Sequence, residues 1–253
     1  MAKIYVVASG KGGTGKTTTV INLGAALNKF KEDVVLMDVN LTTPNLGLYF
    51  GAPIVPVSLN HVLQNKAPVE EAIYEHESGI KLIPSSLSLD NLKKIDTEKI
   101  LDVTKKLKRI SSHIILDSSA GLGEEARAAI KLADEVLIVT NPNILSVTDS
   151  LKTIKLAEEF GKKIRGVIVT RVKNCKTEMS LDSIQEMLES DILGVVPEDE
   201  AIEESLVKKN AVINIKPRSK ASKAYVDIAA KLLGKQKKSS SLLERFLKSL
   251  GLI

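Results

Sequence analysis

Apolar runs rich in Val, Ile and Leu recur along the chain at residues 4–8, 34–37, 80–83, 114–116, 136–139, 167–169, 192–196 and 212–215. Most lack period-two alternation, the pattern of strands buried on both faces. Helical periodicity lies between and after them, at 17–30, 59–65, 97–108, 124–132, 146–159, 180–188, 200–208 and 219–233. Strands alternating with helices predict an α/β fold in three layers, α/β/α. Its sheet is a mainly parallel, twisted one of about seven or eight strands with helices on both faces. In such sheets ligands sit beyond the carboxyl ends of the strands, so the residues that follow each apolar run are the ones to inspect for chemistry.

The most informative of these follow the first run: Ser9-Gly10-Lys11-Gly12-Gly13-Thr14-Gly15-Lys16-Thr17-Thr18. Gly10 to Thr17 fits G-x-x-x-x-G-K-[ST] between a strand pattern and a helix pattern (Val20, Ile21, Leu23, Leu27), the context that a phosphate-binding loop requires. Its glycines let the backbone fold round a phosphate and aim N–H groups inward, and the helix adds its positive end. Lys16 is placed to reach the β- and γ-phosphates and the Thr17 hydroxyl to ligate Mg²⁺. Gly10, Lys11, Gly12, Gly13, Thr14, Gly15, Lys16, Thr17 and Thr18 together make the expected nucleotide site. Lys11 adds a second cation beside a highly charged ligand, where Coulomb attraction is strong. Its bland reading is a solvated lysine.

The string K-G-G-T-G-K-T-T resembles the deviant phosphate loop of the MinD/ParA family of ATPases. The resemblance implies a P-loop NTPase fold and a homodimer formed with ATP, in which Lys11 reaches the partner's phosphates. The segment Asp38-Val39-Asn40-Leu41-Thr42-Thr43-Pro44-Asn45-Leu46-Gly47 is similar to the family's switch I. Asp38 is a hard oxygen donor suited to Mg²⁺ or its waters. The usual pattern is D-x-D, and here Asn40 stands at the second carboxylate. An amide can orient a water but cannot act as a general base at neutral pH. Phosphoryl transfer leans on positioning and electrostatics, so the expectation is slow or partner-dependent hydrolysis.

A later apolar strand ends in Asp117, a Walker B arrangement that puts a third oxygen donor on Mg²⁺ with Thr17 and Asp38. The following D-S-S-A-G-L resembles switch II, with Ser119 in place of proline and Gly121 allowing movement. Lys11, Lys16, Asp38, Asn40 and Asp117 are thus the candidate catalytic set. Thr140-Asn141-Pro142 resembles the family's T-N-P, followed by a helix that in relatives helps form the dimer face. By the same resemblance, loops at Thr170-Arg171 and at Val196-Pro197-Glu198-Asp199 surround the adenine. Backbone groups there read the base edge, Arg171 and Pro197 pack on its faces, and Asp199 belongs to the same loop. No guanine-reading N-K-x-D string occurs, which favours ATP. Residues 85–88 and 105–109 read as a polar loop and a solvated helix face.

Composition narrows the options. At 253 residues, 43% hydrophobic and 26% charged, this is an ordinary soluble globular chain with one sizeable core. A single cysteine, Cys175, excludes a disulfide framework and a thiolate metal site within one chain. It also argues against a cluster shared by two subunits. His61, His76 and His113 lack ligand spacing. The start has no signal-peptide layout and no apolar run approaches transmembrane length, so a cytoplasmic location is expected. Net charge is +5, of which residues 235–253 carry +4 and the body +1.

That tail divides in two. Residues 235–241 form a Ser/Lys-rich linker after an ATPase domain expected over 1–234. Residues 242–253 form an amphipathic helix: Leu242, Leu243, Phe246, Leu247, Leu250 and Ile253 share one face, with Glu244, Arg245, Lys248 and Ser249 opposite. Basic residues beside an apolar face suit an anionic membrane surface. MinD proteins carry a similar C-terminal helix and ParA proteins generally do not. The plain alternative is docking on its own core or on a protein. The reading is a MinD-like ATPase on the inner face of the cell membrane, positioning cell-division or other polar machinery through an unidentified activating or cargo protein. One rival is a ParA-like DNA-associated ATPase. A nearly neutral body with 3% aromatics weakens it, although Lys216, Arg218, Lys220 and Lys223 cluster locally. The other is a nucleotide-gated scaffold with little hydrolysis.

Overall fold

A computed structural model describes residues 2–88 and 97–235. The residues expected to face the membrane, Leu242, Leu243, Phe246, Leu247, Leu250 and Ile253, and all of the expected linker but Lys235, lie outside them. The strands are β1 (Lys3–Ala8), β2 (Val34–Asp38), β3 (Tyr74–Glu75), β4 (Lys81–Ile83), β5 (His113–Asp117), β6 (Glu135–Thr140), β7 (Lys163–Val172) and β8 (Ile192–Pro197). They form one sheet in the order β3-β4-β2-β5-β1-β6-β7-β8. Every pairing is parallel except β3 with β4.

Neighbouring residues of one strand enter different cores, which is why the strands read as continuous apolar runs. Ile4, Val6 and Ala8 face one cluster, and Tyr5 and Val7 the other. On the first face pack α4 (Thr97–Leu107), α5 (Glu124–Leu132), α6 (Ile144–Glu159) and α7 (Leu181–Leu188). On the second pack α1 (Lys16–Lys29), α8 (Glu200–Val207), α9 (Val212–Ile215) and α10 (Lys220–Leu232). The short helices α2 (Leu46–Tyr49) and α3 (Leu59–Leu63) follow β2. The three-layer α/β/α architecture is therefore as the sequence predicts, with eight strands.

The segment 212–215, predicted as a strand, is instead helix α9. It closes as a turn because Asn214 N and Ile215 N donate to the Ala211 carbonyl, while Val212 N is held by Asn22 Oδ1 at 2.8 Å. The turn buries Val212 and Ile213 beside α1, so the apolar residues of this short segment serve a helix contact instead of a sheet edge. Three short elements carry too little pattern to be read in advance: α2, the two-residue β3 and a 3-10 turn at Val69–Ala72.

Candidate phosphate and metal site

The starts of the helices divide into those with a side-chain cap and those without one, α1 among the latter together with α2, α5 and α9. Asn143, Ser180, Asp199 and Ser219 each accept a backbone N–H at the start of α6, α7, α8 and α10. The N-cap of α1 is Gly15, with φ 91° and no side-chain cap. The left-handed φ is one that glycine adopts without a Cβ penalty. The first N–H groups of a helix have no partner within it, so an uncapped α1 presents donors to an anion at the mouth of the loop.

Gly10 is required for a different reason. A Cβ there would lie 2.2 Å from the backbone carbonyl carbon of Asp149 on α6. The loop is braced from behind as well. Thr170 Oγ1 at the end of β7 donates to the Thr14 carbonyl at 2.6 Å and accepts from Asn141 Nδ2 at 3.0 Å. Ser9 Oγ donates to the Lys11 carbonyl at 2.8 Å. Gly12 and Gly13 are exposed and Lys11 is half-buried at the open side.

Lys16 is 9% exposed. Burial lowers its pKa, and the nearby Asp117 carboxylate opposes that shift. Thr17 Oγ1 donates to Asp117 Oδ2 at 2.7 Å. Asp38 and Asp117 are direct neighbours in the register of β2 and β5, and both are buried. Asp38 accepts three backbone hydrogen bonds: Oδ1 from Asn40 N at 3.1 Å, and Oδ2 from Asn45 N and Leu46 N at 3.0 Å each. Burial still pushes its carboxyl well above the usual range, and the Asp117 charge adds to the push. Asp117 is raised to about 6, mainly by burial, with Thr17 and Lys16 pulling the other way.

Asp117 Oδ1 is buried and has no hydrogen-bond partner. An orphaned carboxylate oxygen beside a second buried carboxylate and a threonine hydroxyl is an all-oxygen donor set, which suits a hard divalent cation such as Mg²⁺. The residues present fit that ion. The carbonyl of Asp38 is fixed from the loop after β4, where Ser85 Oγ donates to it at 2.7 Å, and the segment after β5 is fixed to β1, where Ser118 Oγ donates to Val7 O at 2.8 Å.

Other predicted site residues fall in different places. The Thr18 hydroxyl is hydrogen-bonded with Tyr49, and the Thr18 carbonyl accepts from Asn22 Nδ2 at 2.8 Å. Asn40 closes its own turn, with Nδ2 donating to the Thr43 carbonyl at 2.6 Å and Oδ1 accepting from Thr43 N and Thr43 Oγ1 at 3.2 Å each. Its amide is committed to the loop. The Asp199 carboxylate accepts from Ala201 N and Ala221 N at 3.0 Å each, pinning α8 to α10. Arg171 is exposed with φ 56°, and its neighbour Val172 pairs with Pro197. Those strand ends lie about 10–15 Å along the sheet from β1. The bracing roles of Thr170, Asn141 and Ser85 are what sequence reasoning missed. These residues stand in strand-end strings, but nothing local says which loop each will brace.

Residues 5–212 match the family model described as the CobQ/CobB/MinD/ParA nucleotide binding domain. The chain is 39% identical over 256 residues to an uncharacterized ATP-binding protein of Methanocaldococcus jannaschii, covering 99% of this chain and 97% of that one. The septum site-determining protein MinD from Pyrococcus horikoshii, solved in complex with Mg-ADP, is similar with a TM-score of 0.87. It is 31% identical, with 96% of this chain and 99% of that one covered. A chain of the MinC:MinD cell division protein complex of Aquifex aeolicus gives a TM-score of 0.85 at 30% identity, covering 93% and 97%. The uncapped phosphate loop, the facing carboxylates and the span of these matches agree: the chain belongs to the CobQ/CobB/MinD/ParA family of nucleotide-binding proteins and is MinD-like within it.

Proposed function

We propose that this protein is a MinD-like ATPase switch that dimerises on binding ATP-Mg²⁺ and associates with the membrane through its C-terminal segment. The observation that carries the reading is the juxtaposition of the uncapped α1 N-terminus with Thr17, Asp38 and Asp117. Lys16 and the loop N–H groups hold the phosphates, and Lys11 serves the partner's nucleotide across the dimer. Thr17, Asp38 and Asp117 hold Mg²⁺, which when bound neutralises charge on the β- and γ-phosphates. Arg171, Pro197 and the backbone near Asp199 enclose the adenine. Asn40 contributes no base, and its amide must leave Thr43 before it can orient a water. Slow hydrolysis follows, with a partner protein or lipid able to speed it. Asn40→Asp adds a carboxylate but removes the donor to Thr43, and faster single-turnover hydrolysis in that variant would support assigning water placement to this position.

Residues 1–234 act as the ATPase domain, 235–241 as a linker and 242–253 as the membrane helix of a peripheral protein on the cytoplasmic face. One short helix binds weakly, while two on a dimer gain avidity of about 10²–10⁴. The output is positioning of cell-division or other polar machinery through a protein partner. The test is co-sedimentation with anionic liposomes in ATP and in ADP, for the full chain and for one ending at Gly234. Pelleting of the full chain alone, mainly with ATP, is the expected result. If the two chains behave alike, the tail is a docking element. A DNA-riding role is less well supported, because Lys216 of the basic cluster is already paired with Glu204 at 2.9 Å.

A further inference from the structure

Residues 40–46 supply the three N–H groups that hold Asp38. The segment is closed internally by Asn40 on Thr43 and by Asn45 Nδ2, which donates to the Thr43 carbonyl at 3.0 Å. Neither bond ties the tip of the loop to another element. Thr42 does. Its Oγ1, on an exposed residue, donates to Glu125 Oε1 at 2.5 Å across 83 residues of sequence.

Glu125 stands on firm ground. It lies in the first turn of α5, whose N-cap Gly123 offers no side chain, so its charge is favoured by the helix end. The segment leading into α5 is itself joined to the phosphate loop, because Gly121 N donates to the Ser9 carbonyl at 3.0 Å. The contacts therefore run from Ser9 through Gly121 and Glu125 to Thr42, then through Asn40 and Asn45 to Asp38. Asp38 in turn faces Asp117. Displacing residues 121–125 pulls on the loop whose N–H groups orient a metal-binding carboxylate.

We propose that Thr42 and Glu125 form a latch between the first switch segment and the helix that follows the second, with Glu125 a positioning residue that governs ATP turnover and its Mg²⁺ requirement by holding residues 40–46 against α5. The proposal rests on the ATPase reading above. A hydrogen bond to a carboxylate is stronger than a neutral one, and this one joins the loop after β2 to the first turn of α5.

The experiment compares the full chain with Thr42→Val, Thr42→Ser, Glu125→Ala and the double variant Thr42→Val/Glu125→Ala. Single-turnover ATP hydrolysis is followed across a Mg²⁺ titration, and amide exchange of residues 40–46 is measured without nucleotide. Thr42→Val is isosteric and lacks the hydroxyl. It is expected to slow turnover about tenfold, raise the half-saturating Mg²⁺ several-fold and speed exchange in the loop. Glu125→Ala is expected to do the same, the double variant no more than the worse single, and Thr42→Ser to keep most of the rate. Unchanged exchange in Thr42→Val overturns the latch. Turnover within about twofold of the parent, or single effects that multiply in the double variant, overturns its role in the reaction. If the parent chain neither binds nor hydrolyses Mg-ATP, the ATPase reading fails and takes the rate effect with it, while the exchange comparison still decides whether the latch exists.

Discussion

At the carboxyl ends of β2 and β5, Asp38 and Asp117 stand side by side, and Lys16 is the cation whose field reaches Asp117. At the amino ends of the same sheet the charges are matched. Glu135, the first residue of β6, is met by Lys3 at 3.3 Å, Arg165 at 3.5 Å and Lys163 at 3.7 Å. Glu32 is met by Lys235 at 2.9 Å and by His113 at 3.4 Å. Glu135 is buried and Glu32 partly so, each with cationic partners, whereas Asp38 and Asp117 are fully buried and face each other. Paired charge at the amino ends serves the fold, whereas two raised carboxyls at the carboxyl ends are a cost that a cation would relieve.

The largest expected effect lies at the site. Lys16→Ala removes the cation proposed to hold the phosphates, and turnover should fall by on the order of 10³ in single-turnover assays while the fold survives. A loss below tenfold would break the contrast. Next come opposite responses to pH. Asp117 has a folded pKa of about 6, above the ordinary carboxylate value. Between about pH 4 and pH 6 the folded chain holds a proton that the unfolded chain has released, so the Mg²⁺-free protein loses stability as pH rises through that window. Asp117→Asn should flatten this slope in urea titrations with a chelator, and should be the more stable protein at pH 7.5 by about 1 kcal/mol. Glu32 behaves in reverse. The hydrogen bond from Lys235 holds its carboxyl below the usual range, so its contribution is present above about pH 4 and is lost on acidification.

Glu135→Ala leaves Lys3, Lys163 and Arg165 facing one another, and should cost about 1–2 kcal/mol in urea without changing nucleotide affinity. A changed affinity would show that the two ends are coupled. The smallest effect is expected for Lys235→Ala, a few tenths of a kcal/mol that fades in high salt, because this lysine is half-exposed.

How much of this could be read in advance depends on the range of the interaction. The segment 124–132 is legible as a helix to the residue because its periodicity is local. The segment 212–215 is misread because so short a run, Val-Ile-Asn-Ile, fits either a strand or a turn of helix, and the choice belongs to α1. Asn40 shows the same limit at the site. Its identity tells that no base stands there, but its commitment to Thr43 depends on how the loop folds.

The sequence alone therefore determined the strand–helix alternation, the phosphate loop and the two strand-end aspartates, since each is written within a few residues as period or spacing. The tertiary structure decided the rest. Thr17 meets Asp117 across 100 residues and Thr170 meets Thr14 across 156. Gly10 must be glycine because α6 crosses behind it. These meetings follow from the strand order β5-β1-β6-β7, which is set by how helices pack over the sheet and not by any local pattern.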